Sequence, residues 1–129
     1  MAEALFKYEL VKANKTECFV SSAGLSALTG SQPDPIACQL LLKKDIDISS
    51  QRACQLNRDM IQKAELILVM ESNQKVAIEE NEPSARGKVF RLGEWENFDI
   101  ADPYKRGLSA FEKSLALIEK GVLQWVAKL

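Results

Sequence analysis

The sequence predicts an α/β protein in which a mostly parallel sheet is flanked by helices in three layers. Two short, mainly apolar runs have the length and composition of buried strands: Leu66–Met70, and Val89–Leu92, which Arg91 interrupts. They alternate with segments whose apolar residues recur at helical spacing, and parallel strands need such crossover helices. A chain of 129 residues, 47% of them hydrophobic, has the size of one domain, which we expect to span residues 1–129.

The first part of the chain predicts a helix, a strand and a second helix. Residues 1–13 carry apolar side chains at helical spacing and indicate an amphipathic helix. Residues 16–22 are rich in β-branched and aromatic side chains, which favours a buried strand ending at Gly24. Asp34, followed by proline, is a typical helix start, and we expect that helix to reach Lys44.

The middle of the chain predicts two further helices around the apolar runs. Asn57 is placed to cap a helix that leads into Leu66–Met70, whose five consecutive apolar residues indicate an interior strand. Ser72 is the predicted cap of the next helix, which Pro83 ends before Val89–Leu92.

The end of the chain predicts a long helix with one apolar face. Its apolar residues alternate in steps of three and four, which is typical of a stripe facing the core. The stripe consists of Leu108, Phe111, Leu115, Ile118, Val122, Trp125 and Leu129.

Charge and composition exclude several classes of partner. The 17 basic and 18 acidic residues nearly balance, and no Lys/Arg run exceeds two residues, so no nucleic-acid footprint is predicted. No apolar run approaches the ~18 residues of a membrane helix, and no signal-peptide pattern is present. We therefore expect a cytoplasmic protein without a membrane or nucleic-acid partner.

The cysteines and the lack of histidine limit the chemistry. Cys18, Cys38 and Cys54 are odd in number and widely spaced, as expected of reduced thiols within strands and helices rather than of a disulfide framework. The chain has no His, which removes the commonest general base and a common metal ligand. No metal and no cofactor are predicted, and acid–base chemistry would come from carboxylates, Lys or Tyr.

The tripeptide Asp102-Pro103-Tyr104 lies in a polar loop between the second apolar run and the last helix. Alone, this tripeptide is typical of a turn. Here it follows Met1–Phe6 (Met-Ala-Glu-Ala-Leu-Phe), Ser21–Gly24 (Ser-Ser-Ala-Gly) and Leu66–Met70 (Leu-Ile-Leu-Val-Met). With these companions in this order, the chain resembles the low-molecular-weight protein tyrosine phosphatases over nearly its whole length.

The resemblance implies a phosphotyrosine protein as substrate and a role for four residues. Asp102 matches the general acid that protonates the leaving phenolate. Tyr104 matches the aromatic wall against which the substrate ring stacks, and Leu28 matches the opposite wall. Ser22 matches a hydroxyl that supports the phosphate-binding loop. The resemblance also implies a four-stranded sheet in the order 2-1-3-4.

The nucleophile of that family has no counterpart within the 129 residues. In the family, a first strand and a Cys-x5-Arg-Ser-Pro loop precede the helix that corresponds to residues 1–13. The residues six positions after the three cysteines are Gly24, Lys44 and Met60, so none completes Cys-x5-Arg. We therefore expect the central first strand and the loop to be missing, and the chain to be inactive in this form.

Two alternatives stay open, and both concern the missing strand. The scaffold could serve as a non-catalytic binding or oligomerisation module, or the start could be misassigned in an active phosphatase. Removing a central strand would leave its neighbours about 10 Å apart, twice the usual pairing distance. Unpaired strand edges of this kind promote association, so we expect a homo-oligomer.

Overall fold

The computed structural model describes residues 1–15, 17–26 and 28–129. Within these residues, helices pack on both faces of a short parallel sheet. The α-helices are α1 (Ala2–Lys12), α2 (Pro35–Leu42), α3 (Arg58–Lys63), α4 (Ser72–Asn81) and α5 (Leu108–Lys128). The strands are β1 (Ile67–Val69) and β2 (Val89–Arg91), and single 3-10 turns cover Pro83–Ala85 and Glu94–Glu96.

The sheet joins β1 and β2 in parallel, with Ile67 opposite Val89. Because side chains alternate along a strand, each face of the sheet contributes to a different core. Val69 and Val89 pack with α3 and α4, whereas Leu68 and Phe90 contact the core formed with α1, α2 and α5. The predicted α/β class, with a parallel sheet between helices, is confirmed.

The larger core is built on α5. The predicted stripe is buried along its middle, at Phe111, Leu115, Ile118, Val122 and Trp125. Leu108 and Leu129, at the two ends of the stripe, are about half exposed (50% and 48%), because each lies at a helix terminus beyond the packed helices. In the described part of the chain, no helix is long and apolar enough to cross a membrane.

Two predicted helix caps are confirmed and one is wrong. Asp34 Oδ1 accepts a hydrogen bond from the N–H of Ile36 at 2.9 Å, and Asn57 Oδ1 accepts one from the N–H of Met60 at 2.9 Å. The cap of α4 is Glu71 and not Ser72, whose hydroxyl instead donates to an aspartate of a distant loop.

The strand predicted over residues 16–22 is the main difference. Thr16 lies outside the described residues, and residues 17–23 have no strand partner within them. Phe19 is fully exposed, and pairing is limited to one parallel bridge between Gly24 and Gln55. Strand propensity without a neighbouring ladder does not make a strand.

The strand at the first apolar run is shorter than predicted and is paired on one edge. Within the described residues β1 pairs only with β2, so the interior position predicted for it is not found there. The four-stranded order 2-1-3-4 remains a prediction.

Candidate active site

The loop that carries Asp102 begins with three consecutive residues that are each hydrogen-bonded to another part of the protein. Asp99 accepts hydrogen bonds from the backbone N–H of Ser72 at 3.1 Å and from its hydroxyl at 3.0 Å. Ile100 donates its N–H to the Met70 carbonyl at 2.9 Å, just beyond the end of β1. The carbonyl of Ala101 accepts from the Ser114 hydroxyl at 2.9 Å. We call residues 99–101 the stem of the loop.

Arg91 forms an ion pair with Asp99, the first residue of the stem. Its guanidinium lies 3.0 Å from Asp99 Oδ1 and 3.4 Å from Glu94 Oε2. The hydrogen bond from the Ser72 N–H and the bond from Arg91 hold the pKa of Asp99 below its ordinary value. The carboxylate therefore stays ionised at neutral pH and joins β2 to the N-terminus of α4.

Asp102 follows the stem on an exposed turn. Its Oδ1 accepts the backbone N–H of Tyr104 at 3.0 Å, an Asx-type turn typical of aspartate. The N–H of Arg106 donates to the Pro103 carbonyl at 2.9 Å, and Lys105 has a left-handed φ of 61°. The Tyr104 ring is 59% exposed, with the Lys105 ammonium 5.4 Å from its centroid. The turn thus presents a carboxylate and an aromatic ring side by side.

A cavity of about 200 Å³ lies beside this turn. Asp102 and Pro103 form one wall, and Met70 and Glu71, at the carboxyl end of β1, form another. The carboxyl end of parallel strands is the usual place for ligands in α/β proteins. Asp102 therefore lies at the edge of the sheet where this architecture commonly binds ligands.

Ser22 lies at the N-terminus of α1. Its hydroxyl donates to Glu3 Oε1 at 2.6 Å, and the Lys7 ammonium binds the other oxygen at 2.9 Å. Partial burial acts to raise the pKa of Glu3, but the bonds from Ser22 and Lys7 outweigh it and lower the pKa. The Cys54 thiol donates to the Ser22 carbonyl at 3.1 Å.

Leu28 is 79% exposed and belongs to neither apolar cluster. The structure joins Asp102 and Tyr104 directly, whereas Ser22 is bonded to α1 and not to the Asp102 loop. Asp99, Arg91 and Ser114 carry no sequence pattern that marks them. Only the position of Asp99, three residues before Asp102, could have drawn attention to it.

The three thiols are free and belong to no metal-binding cluster in the described part of the chain. Cys18 is exposed, contrary to the buried strand position predicted for it, because residues 17–23 are unpaired. Cys38 and Cys54 are half-buried free thiols. Among the described residues, no three Cys, Asp or Glu side chains gather closely enough to hold a metal ion.

Several relatives of similar sequence carry the name of low molecular weight protein-tyrosine-phosphatases. The probable low molecular weight protein-tyrosine-phosphatase EpsP of Ralstonia nicotianae is 45% identical over 129 residues, which cover 100% of this chain and 86% of the relative. The low molecular weight protein-tyrosine-phosphatase Ptp of Acinetobacter johnsonii is 38% identical over 116 residues, covering 90% of this chain and 82% of that protein.

Solved structures agree with these relatives. The crystal structure of the Erwinia amylovora tyrosine phosphatase AmsI matches with a TM-score of 0.90 and 35% identity, covering 99% of this chain and 82% of the other. Vibrio vulnificus Wzb, in complex with benzylphosphonate, matches with a TM-score of 0.89 and 32% identity, covering 99% and 88%. The family model described as low molecular weight phosphotyrosine protein phosphatase matches residues 1–129, and the chain therefore belongs to that family.

Proposed function

We propose that residues 1–129 carry the acid and the recognition surface of a phosphotyrosine phosphatase site and do not hydrolyse phosphotyrosine by themselves. One observation supports the proposal most directly. The Asp102 carboxylate and the Tyr104 ring share one exposed turn beside a cavity at the carboxyl end of β1. In the protonated form, Asp102 would donate its proton to the phenolate that leaves the phosphorus.

The remaining predicted residues have roles around the same substrate. The Tyr104 ring offers a face for the phenyl group, and Leu28 is proposed as the opposite wall. Ser22, whose hydroxyl lies at the N-terminus of α1, is proposed to support a phosphate-binding loop. Helix N-termini favour anions, which makes this end of α1 the natural side for the phosphate.

The missing element is the nucleophile. No cysteine of the 129 residues is followed by the arginine of Cys-x5-Arg. Phosphoryl transfer needs an attacking group in line with the leaving group and donors around the phosphoryl oxygens. Loss of a nucleophile costs on the order of 10^6 in rate when catalytic groups act together.

Turnover of p-nitrophenyl phosphate tests the proposal. The purified polypeptide of residues 1–129 is expected to give only background rates. A fusion that places a strand and a Cys-x5-Arg-Ser-Pro segment before Met1 is expected to restore turnover, because it supplies the nucleophile and the phosphate cradle.

Asp102→Asn is the matched control, both in the polypeptide of residues 1–129 and in the fusion. In the fusion it should lower kcat about 10²- to 10⁴-fold, the usual contribution of a general acid. Turnover by residues 1–129 alone that Asp102→Asn abolishes would contradict the proposed need for the loop. A folded fusion without activity would favour a non-catalytic role.

A binding or oligomerisation module is the second candidate, and the open edge of β1 favours it. Ile67 donates its N–H to the Lys88 carbonyl at 2.9 Å, and Leu92 donates to the Val69 carbonyl at 2.7 Å. Backbone groups alternate in direction along a strand, so those of Leu68 point away from β2. No strand within the described residues pairs with them. A second copy of the chain is the proposed partner.

We also propose the partners and the location that the sequence predicts. A phosphotyrosine protein is expected to bind productively only when the loop is supplied. A cytoplasmic location, and the lack of nucleic-acid and membrane partners, rest on the balanced charge and the hydropathy of the sequence.

A further inference from the structure

The position of Asp102 depends on the stem that precedes it. Asp99 and Ile100 are bonded to Ser72 and to Met70, both at the carboxyl end of β1 or the start of α4. Ala101 is the last residue before Asp102, and its carbonyl bonds to Ser114 on α5. Of the three attachments of the stem, this bond is the nearest to Asp102 along the chain.

Ser114 is unusual within α5. Its side chain is 5% exposed on the helix face that is otherwise lined with apolar residues. Alanine would favour the helix more than serine does, so the hydroxyl is not there for helix stability. The Ser114 hydroxyl donates a hydrogen bond to the Ala101 carbonyl, outside the helix, at 2.9 Å. A buried hydroxyl needs such a partner.

We infer that Ser114 is a positioning residue that holds the Asp102 carboxylate at the cavity through the Ala101 carbonyl. The inference rests on Asp102 being the acid of the proposed function. Fixing the Ala101 peptide fixes the N–H and Cα of Asp102, which sets the direction of its side chain. The tip of the loop beyond Asp102 is exposed, so α5 supplies the anchor that the tip itself lacks.

The Tyr104 amide provides a direct readout in the intact 129-residue polypeptide. This amide donates to Asp102 Oδ1, so its NMR shift follows the ionisation of Asp102 when the turn is formed. Glu71 faces the same cavity and Lys105 adjoins the turn, and both could also affect the shift. Asp102→Asn identifies the part of the titration that belongs to Asp102.

Ser114→Ala is expected to reduce the equilibrium constant for forming the Asp102–Tyr104 turn about 2- to 10-fold, the usual worth of one hydrogen bond. The pH-dependent shift of the Tyr104 amide should fall accordingly. Ser114→Thr keeps the hydroxyl at a position that lines the cavity of about 200 Å³, so this variant should retain the shift. Ser109→Ala, at an exposed position of the same helix, is the matched control.

An unchanged Tyr104 titration in folded Ser114→Ala would overturn the inference. Equal losses in Ser114→Ala and Ser114→Thr would also overturn it, because the effect would then come from packing and not from the hydroxyl. The measurement requires no turnover. It therefore separates failure of the positioning role from failure of the proposed phosphatase function.

Discussion

Gly121 lies where α5 crosses the end of β2, and a hydrogen atom is all that this position can hold. A Cβ built there would stand 2.7 Å from Leu92 Cγ and 2.8 Å from the Leu92 carbonyl oxygen. The backbone oxygen cannot move easily, because the same carbonyl accepts the indole N–H of Trp125 at 3.0 Å. Close packing of helix on strand therefore depends on the missing side chain.

Gly121→Ala is expected to lower the free energy of unfolding by about 1–3 kcal/mol, the usual cost of overpacking. In an exposed part of a helix the same change would instead raise it by up to about 1 kcal/mol. Urea denaturation measures the difference. The control is Ala116→Gly, which changes an exposed position of α5 in the opposite direction and should cost about 1 kcal/mol. Greater stability of Gly121→Ala would contradict the close contact with Leu92.

At the scale of elements, the stem of the Asp102 loop depends on pH through Asp99. The folded-state pKa of Asp99 lies below its ordinary value, because the Ser72 N–H and Arg91 stabilise the carboxylate. Its contribution to stability is therefore complete above the unfolded pKa of about 3.9 and is lost as the pH falls through the folded pKa.

Asp99→Asn is thus expected to destabilise the protein at pH 7 and to have a smaller effect at about pH 3. Denaturation curves at both pH values measure the two differences. Asp59→Asn serves as the control, because Asp59 forms an exposed ion pair with Lys63 and should change little. An effect of Asp99→Asn that is equal at both pH values would contradict the ionic attachment.

Helix caps that act between nearby residues could be predicted from the sequence, whereas hydrogen bonds to distant partners could not. The caps Asp34 and Asn57 act within three residues, so local pattern was sufficient for α2 and α3. Ser72 fits the same pattern, but its hydroxyl is bonded to Asp99, 27 residues away. Residues 17–22 have strand propensity without a paired neighbour.

In the candidate site, too, neighbouring residues could be predicted from the sequence and contacts between separate elements could not. Asp102 and Tyr104 are two residues apart, so one motif predicted both, and the turn joins them as neighbours. The bond of Ser22 to Glu3 and that of Ser114 to Ala101 join separate elements. No spacing in the sequence predicts such contacts, because they depend on how the helices pack against the loop.

At the scale of the whole molecule, the open edge of β1 and the exposed segment around Phe19 favour association. Phe19 is fully exposed, whereas phenylalanine is more often buried in folded proteins. Strand edges without partners recruit further strands. We expect the purified 129-residue polypeptide to form a homo-oligomer.

Size-exclusion chromatography with light scattering at about micromolar concentration measures the mass of that species. Phe19→Ser is expected to shift the equilibrium towards the monomer, because burying a phenylalanine contributes about 1.5–3 kcal/mol. Val76→Ser, at an exposed position of α4, is the control and should leave the mass unchanged. A monomer of the unmodified polypeptide would count against the module hypothesis.

The two tryptophans give the molecule an optical probe of one particular junction. Trp125 is buried in α5, Trp95 lies 5.1 Å from it between ring centroids, and the Lys128 ammonium lies 4.8 Å from the Trp95 ring. Since the chain has no other tryptophan, tryptophan emission, excited at wavelengths where tyrosine does not absorb, reports how the C-terminal half of α5 docks on residues 92–96. Tryptophan emission should therefore change when α5 separates from the sheet. Opening of the Asp102 turn alone should leave it unchanged.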